Sequence, residues 1–310
     1  MAFTVKFGNG GASTVKDLTE SAAAVNNLLT NETAANTTTL GQAFPDSTVA
    51  VQGGGNVDVG FDTSLNGFSF DVSGAWNSVK NVLVESNTAQ TISVKDFVHA
   101  DIILGGTGNS TVEVLNVKRA NVVTGDGNDH VHLSLLSNDG GWVNETVIKT
   151  GKGDDYIVIT QGQSLKDIGG ITKAGASNGG NGITDGSNTT VYIDAGDGND
   201  TIDLSAVSLK SSTVIGGKGK DLMSASGGAD TFVFNLGDTG KKLLSADVIV
   251  GFDVNADKLQ LKGTSASDWS FGESEGSTVI SYNKAGEHFG EKIVLEDVLI
   301  TSAPSSWLFA

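Results

Sequence analysis

Glycine and aspartate recur in a fixed order along the middle of this chain. Thr124-Gly125-Asp126-Gly127-Asn128-Asp129 is one copy and Thr150-Gly151-Lys152-Gly153-Asp154-Asp155 a second. Ala195-Gly196-Asp197-Gly198-Asn199-Asp200 is a third and Gly216-Gly217-Lys218-Gly219-Lys220-Asp221 a fourth. An imperfect copy, Gly105-Gly106-Thr107-Gly108-Asn109-Ser110, precedes them, and a shorter relative, Gly227-Gly228-Ala229-Asp230, follows. Two positions beyond the last residue of each copy stands an apolar one: Val112, Val131, Ile157, Ile202, Met223 and Phe232. Glycines at alternate positions let a turn curl so that several carbonyls point inward, because glycine alone takes positive φ without strain. The closing aspartate adds a carboxylate, and the apolar residue after it starts a strand and faces a core. A site made only of oxygens suits a hard cation. Calcium takes six to eight of them at about 2.3–2.6 Å.

The shared form, G-G-x-G-x-D-x-U-x with U apolar, resembles the calcium-binding nonapeptide of RTX (hemolysin-type) proteins. The resemblance runs over about residues 101–261. It implies an all-β parallel β-roll or β-helix with several calcium ions held between stacked turns. In that arrangement Asp129, Asp155, Asp200, Asp221 and Asp230 are the side-chain ligands, with Asp126, Asp154, Asp197 and Asp247 as further contributors. Gly125, Gly127, Gly151, Gly153, Gly196, Gly198, Gly217 and Gly219, with Asn128 and Asn199, shape the turns that offer main-chain oxygen. The stretch Asp247-Val248-Ile249-Val250-Gly251-Phe252-Asp253, with Asp257-Lys258-Leu259-Gln260-Leu261, is similar to the segment that closes the roll in such proteins. The family implies an uncleaved C-terminal secretion signal read by a type I exporter, and thus a bacterial protein that is secreted or held at the cell surface. Two departures stand out. The key aspartates are 26, 45, 21 and 9 residues apart, not uniformly multiples of nine, so the coils carry insertions. This predicts Gly-Asp turns stacked mainly along one edge, with irregular loops on the other. Ser110 stands where an aspartate belongs, so the first turn either binds weakly or only caps the stack.

The elements that must hold these turns are short strands. From about residue 49 β-branched, alternating runs of four to six residues follow one another, such as Phe68-Ser69-Phe70-Asp71-Val72 and Thr91-Ile92-Ser93-Val94. Residues 1–48 read differently. Phe3, Val5 and Phe7 alternate. Val15, Leu18, Ala22, Val25, Leu28 and Leu29 recur at helical spacing after Thr14 and Asp17, which predicts one amphipathic helix over about 14–30. Residues 31–48 read as a loop. The expected organisation is an N-terminal segment 1–48, serving as cap or as subunit connector, a β-helix over 49–261, and a C-terminal β capping region over 262–310.

Composition narrows the partners. Thirty-six acidic residues against 19 basic give a net charge of −17, which repels nucleic acid and anionic lipid and attracts cations. With no cysteine there is no disulfide, zinc–thiolate site or thiol nucleophile. No run of about 18 apolar residues exists to span a membrane. The opening residues lack a basic stretch followed by an apolar one, so export would not use an ordinary cleaved signal. Gly151-Lys152-Gly153 and Gly219-Lys220-Asp221 lack the Lys-Ser/Thr and following helix of a phosphate loop. His130 and His132 share one strand face and read as strand residues beside a turn; His99 and His288 stand alone. No G-x-S-x-G elbow is present. Only about 48 residues precede the strands, too few for a separate catalytic domain. The expectation is a non-enzymatic, self-assembling structural protein: a surface-layer, matrix-fibre or adhesin subunit, homo-oligomeric or polymeric, with cell-surface polysaccharide as a possible partner. Two alternatives stay open, a secreted membrane-active effector and a carbohydrate-active β-helix enzyme. For the enzyme, Trp76, Trp142 and Tyr192 are the candidate groove aromatics.

Overall fold

The computed structural model describes residues 91–95, 99–135, 144–162, 186–286 and 288–300, with residue 89. Seven further segments, 3–7, 14–17, 37–40, 48–52, 55–61, 69–73 and 79–85, are described as backbone strands. The chain divides into two compact units. Unit 1 holds residues 1–137 with 162–181, and unit 2 holds 138–161 with 182–310.

Unit 1 contains β1 (Phe3–Phe7), β2 (Thr14–Asp17), β3 (Thr37–Leu40), β4 (Thr48–Gln52), β5 (Gly55–Phe61) and β6 (Ser69–Ser73). It continues with β7 (Val79–Glu85), β8 (Thr91–Lys95), β9 (His99–Ile103), β10 (Thr111–Val117), β11 (Arg119–Asp126) and β12 (His130–Leu135). Successive strands go alternately to two sheets, ordered β11-β9-β7-β5-β1-β3 and β2-β4-β6-β8-β10-β12. From β4 onward neighbours within each sheet are parallel, whereas β1, β2 and β3 join antiparallel.

Two expectations for the N-terminal segment change here. The helix expected over 14–30 does not begin at Thr14. Thr14–Asp17 is strand β2, aligned with Val49–Gln52 of β4. The β-branched Thr14 and Val15 suit a strand with a partner, and that pairing overrides a local helical period. Residues 18–30 lie outside the described residues. The stretch 31–48 is likewise not all loop, because Thr37–Leu40 pairs with β1.

Unit 2 contains β13 (Asn144–Lys152), β14 (Tyr156–Gln161), β15 (Gly186–Asp197), β16 (Thr201–Ala206), β17 (Leu209–Lys218) and β18 (Leu222–Ser224). After these come β19 (Ala229–Phe234), β20 (Asp247–Val250), β21 (Lys258–Leu261), β22 (Trp269–Ser274), β23 (Ser277–Tyr282) and β24 (Lys292–Glu296). One sheet runs β21-β19-β17-β15-β13 and the other β14-β16-β18-β20-β24-β23-β22. All neighbours are parallel until β24, where β23 and β22 add antiparallel.

Register explains why these sequences stack. Ile148, Ile193, Val214, Phe232 and Leu259 lie side by side across one sheet, each fully buried. Ile157, Ile202, Met223, Ile249 and Leu295 do the same across the other. Each strand places one member of a column inward, and alternation turns its neighbours outward. A buried aliphatic of this kind contributes roughly 1.5–3 kcal/mol. Phe232 also meets the Phe252 ring at 6.1 Å between centroids. Truncating Phe232 to alanine is expected to cost about 3–5 kcal/mol in a denaturant titration, with the slope of the transition unchanged.

Candidate functional site: the column of glycine–aspartate turns

Within each unit the repeats other than Gly227–Asp230 fall on one edge, where the chain passes from the first sheet to the second. In unit 2 the turns β13–β14, β15–β16 and β17–β18 carry the sequences that end at Asp155, Asp200 and Asp221. In unit 1 the turns β9–β10 and β11–β12 carry Gly105–Ser110 and Thr124–Asp129. The expectation of stacking along one edge matches this placement.

The glycine at the second position of each turn has positive φ: Gly106 92°, Gly125 124°, Gly151 97°, Gly196 104° and Gly217 101°. The turns also lie very close together. A Cβ on Gly196 would collide with the carbonyl oxygen of Gly151, and one on Gly217 with that of Gly196. Carbonyl oxygens of one turn thus point along the stack at the glycines of the next. The fourth-position amides donate in the same direction, Gly153 to Asp197 O at 2.8 Å and Gly198 to Lys218 O at 2.8 Å.

The closing aspartates form a second line. The Asp155 amide donates to Asp200 Oδ1 at 2.8 Å, the Asp200 amide to Asp221 Oδ1 at 2.9 Å, and the Asp221 amide to Asp247 Oδ1 at 2.8 Å. In unit 1 the Ser110 amide donates to Asp129 Oδ1 at 2.6 Å. Ser110 therefore keeps the turn in line without supplying a carboxylate. Each aspartate spends one oxygen on its neighbour. The other oxygen of Asp200, Asp221 and Asp247 is buried and has no hydrogen-bond donor. Asp221 Oδ2 lies over Gly216, where a Cβ would strike it.

Burial dominates the electrostatics. It pushes the Asp200 carboxyl up to about 8, with the charges of Asp221, Asp155 and Asp154 adding to the rise. It raises Asp247 to about 8, joined by the Asp221 charge, and Asp221 to about 6. Asp129 rises for the same reason. In the unfolded chain these groups titrate near 3.8. Between about 4 and 8 the folded, metal-free chain therefore holds protons that the unfolded chain has released. The stability these groups contribute is fully present below about 4 and is lost as pH rises to about 8. Calcium-stripped protein is expected to melt at a higher temperature at pH 5.5 than at pH 8. A flat or rising profile across that interval would show that the carboxylates are not buried as described.

The column extends beyond the repeats legible in the sequence. Gly237, with φ 101°, matches the second-position glycines, and the Gly219 amide donates to Asp238 O at 2.9 Å, as its counterparts do to the third position. The sixth position is Asp247. Gly237-Asp238-Thr239 with Asp247 is thus a further turn, interrupted by an insertion that holds a short 3-10 turn at Leu243–Ser245. The Asp247 amide donates to Thr239 Oγ1, and the Thr239 hydroxyl donates to the Lys292 carbonyl. Buried Glu291 accepts the Gly237 amide and bonds His288 Nδ1 at 2.8 Å, which fixes this loop. The Gly-Asp dipeptide followed by Asp247 was the available signal for this turn.

Other expected ligands lie elsewhere. Asp230 is not next in line after Asp221. It sits in β19 on the opposite edge, in register with Ser212 and next to Asp257. Its oxygens accept the Ser212 hydroxyl at 2.7 Å, the Ser226 amide at 2.7 Å and the Ser226 hydroxyl at 2.9 Å. Asp197 pairs with Lys218 at 2.9 Å on a half-exposed surface. Asp154 Oδ1 accepts the amide and the side chain of Asn199, and the Asn128 amide donates to Asn109 Oδ1. The fifth positions thus form a hydrogen-bonded line of their own. Tyr192 lies under Lys149 Nζ at 5.9 Å from its ring centre, while Trp76 and Trp142 lie outside the described residues.

Among the described residues no group of three or more His, Cys, Asp or Glu converges as a metal cluster, so side chains alone build no site. A turn site of the kind the repeat implies draws mainly on carbonyls. The donor set here is oxygen only, with buried carboxylate oxygens left without donors, and it fits a hard cation.

No family model matches the chain, and no curated protein matches it. Among solved structures it is similar to the extracellular lipase LipA from Serratia marcescens. The two share 14% identity at a TM-score of 0.32, over 68% of this chain and 40% of the lipase. No helix among the described residues is long and apolar enough to cross a membrane.

Proposed function

We propose that the glycine–aspartate turns bind calcium and that the chain is a secreted structural protein, folded by calcium outside the cell and assembling there. A surface layer, a matrix fibre or an adhesin subunit are the forms this would take. The observation that carries the reading is the line Asp200–Asp221–Asp247, three buried carboxylates that each keep one oxygen without a donor. Burying such oxygens unpaired is costly, and partnerless buried carboxylates take up protons instead. Bound calcium would supply the positive charge and the coordination that these oxygens lack. The chain's own part is to aim glycine carbonyls along the stack, to hold each carboxylate by one hydrogen bond, and to leave its second oxygen facing the turn. In this reading the carboxylates are structural rather than catalytic. In calcium-poor cytosol burying these carboxylates requires that they take up protons, which favours an unfolded, exportable chain.

The test is circular dichroism and light scattering during a calcium titration of chelated protein. The strand signal is expected to rise with a midpoint of about 10⁻⁴–10⁻³ M, in the range of extracellular calcium modules. A chain with full strand signal and an unchanged melting temperature in chelator would sink the calcium reading.

A further inference from the structure

The outer face of the second sheet in unit 2 carries an apolar strip. Val248 of β20, Val294 of β24 and Val279 of β23 stand in register across three strands, opposite in facing to the buried Ile249, Leu295 and Ile280. They line a groove of about 260 Å³ together with Leu243 and the exposed acidic residues Glu275, Glu296 and Asp297. Beside the groove the loop Lys241-Lys242-Leu243-Leu244 projects into solvent. Leu244 is 87% exposed, so it contributes almost nothing to the fold.

One patch therefore holds both halves of a contact: a cationic loop tipped with leucine, and an apolar groove rimmed with acid. A surface that carries a feature and its complement side by side suits a two-fold contact, in which each copy gives and receives the same element. We propose that this face joins two copies of the chain, with Leu244 of each seated on the valine floor of its partner. Lys241 and Lys242 then meet Glu275, Glu296 and Asp297 across the contact. The inference rests on the calcium reading in one respect. The loop starts at the Gly237-Asp238 turn and ends at Asp247, so the column that takes calcium also sets its position.

Sedimentation of the full chain in millimolar calcium tests this, with circular dichroism reporting folding separately. The wild type is expected to dimerise. Leu244→Asp is expected to weaken association at least tenfold while leaving the strand signal intact, since the side chain is exposed. Lys241→Glu with Lys242→Glu makes one self-repelling chain, and Glu275→Lys with Glu296→Lys makes another. Each alone is expected to stay monomeric, and an equimolar mixture to form a heterodimer in which both contacts are again complementary. The proposal is overturned if the folded wild type stays monomeric at concentrations on the order of 100 μM, where even a small, weak interface is populated. It is equally overturned if Leu244→Asp associates as the wild type does, or if the mixture yields no heterodimer. A chain that fails to respond to calcium in circular dichroism but still dimerises through Leu244 refutes the calcium reading and leaves this one standing.

Discussion

Asp200→Asn is expected to have opposite effects with and without calcium. In chelator the variant should be at least as stable as the wild type at pH 8. In saturating calcium it should be clearly less stable, with the folding midpoint moved to at least about tenfold higher calcium, which is about 1.4 kcal/mol or more. Asparagine keeps the carbonyl oxygen that accepts the Asp155 amide at 2.8 Å, so the turn-to-turn hydrogen bond survives. It also removes a carboxyl that burial has pushed up to about 8 and that the charges of Asp221 and Asp155 disfavour further. Metal-free folding thereby loses an obstacle. The same change takes from a calcium site its charged oxygen, and affinity in oxygen sites follows ligand charge. Asp200, Asp221 and Asp247 changed together to asparagine should give a chain whose unit 2 responds to calcium far less than the wild type. A purely structural role for the column predicts equal losses in both conditions, so melting temperatures measured with and without calcium separate the two accounts. Asp230→Asn is the internal comparison. Asp230 lies on the other edge with both oxygens hydrogen-bonded, and its replacement should weaken the chain similarly with and without calcium.

That comparison also shows where sequence reading stopped. The Gly-Asp turns were legible because their chemistry is local: positive φ at alternate positions requires glycine, and the following apolar residue must face the core. Their stacking on one edge followed from the uneven spacing, since insertions are most easily absorbed on the side away from the contact. The edge on which Asp230 lies was not legible, because counting along the chain cannot tell the two edges of a coil apart. Only the register of Ser212 with Asp230 does so. The turn at Gly237 was missed because its third and sixth positions, Asp238 and Asp247, are separated by an insertion, which erases the motif while the hydrogen bond from Gly219 preserves the geometry. Thr14–Asp17 misled because its spacing fitted a helix, while the β-branched pair Thr14 and Val15 finds its partner in Val51 and Gln52 of β4. In each case the information was in a contact between distant residues, which a single sequence does not display.

Gly217→Ala is expected to be among the most destabilising single-methyl additions in the chain. Two separate costs meet there. Gly217 has φ 101°, a conformation that costs an L-residue roughly 1–3 kcal/mol. Its new methyl would also point at the Gly196 carbonyl oxygen of the neighbouring turn, within contact distance of that carbonyl's carbon as well. The backbone on both sides is tied, by the Gly198 amide to Lys218 O and by the Asp200 amide to Asp221 Oδ1, so neither turn can retreat without breaking a hydrogen bond. The total loss should exceed about 3 kcal/mol and should appear in calcium as well as in chelator, because the collision precedes any ion. Gly263→Ala isolates the first cost. Gly263 has φ 74° with nothing within 4 Å of an added Cβ, so it bears conformational strain alone, about 1–2 kcal/mol. If denaturant titration finds the two variants equally destabilised, the turns are not packed as closely as described, and a column of carbonyls aimed from turn to turn would lose its footing. If Gly217→Ala is the more costly by the expected margin, close stacking is confirmed independently of calcium. The carboxylates of Asp200 and Asp221 then have no room to swing toward water, and in the proposed reading a buried cation relieves them without dismantling the stack.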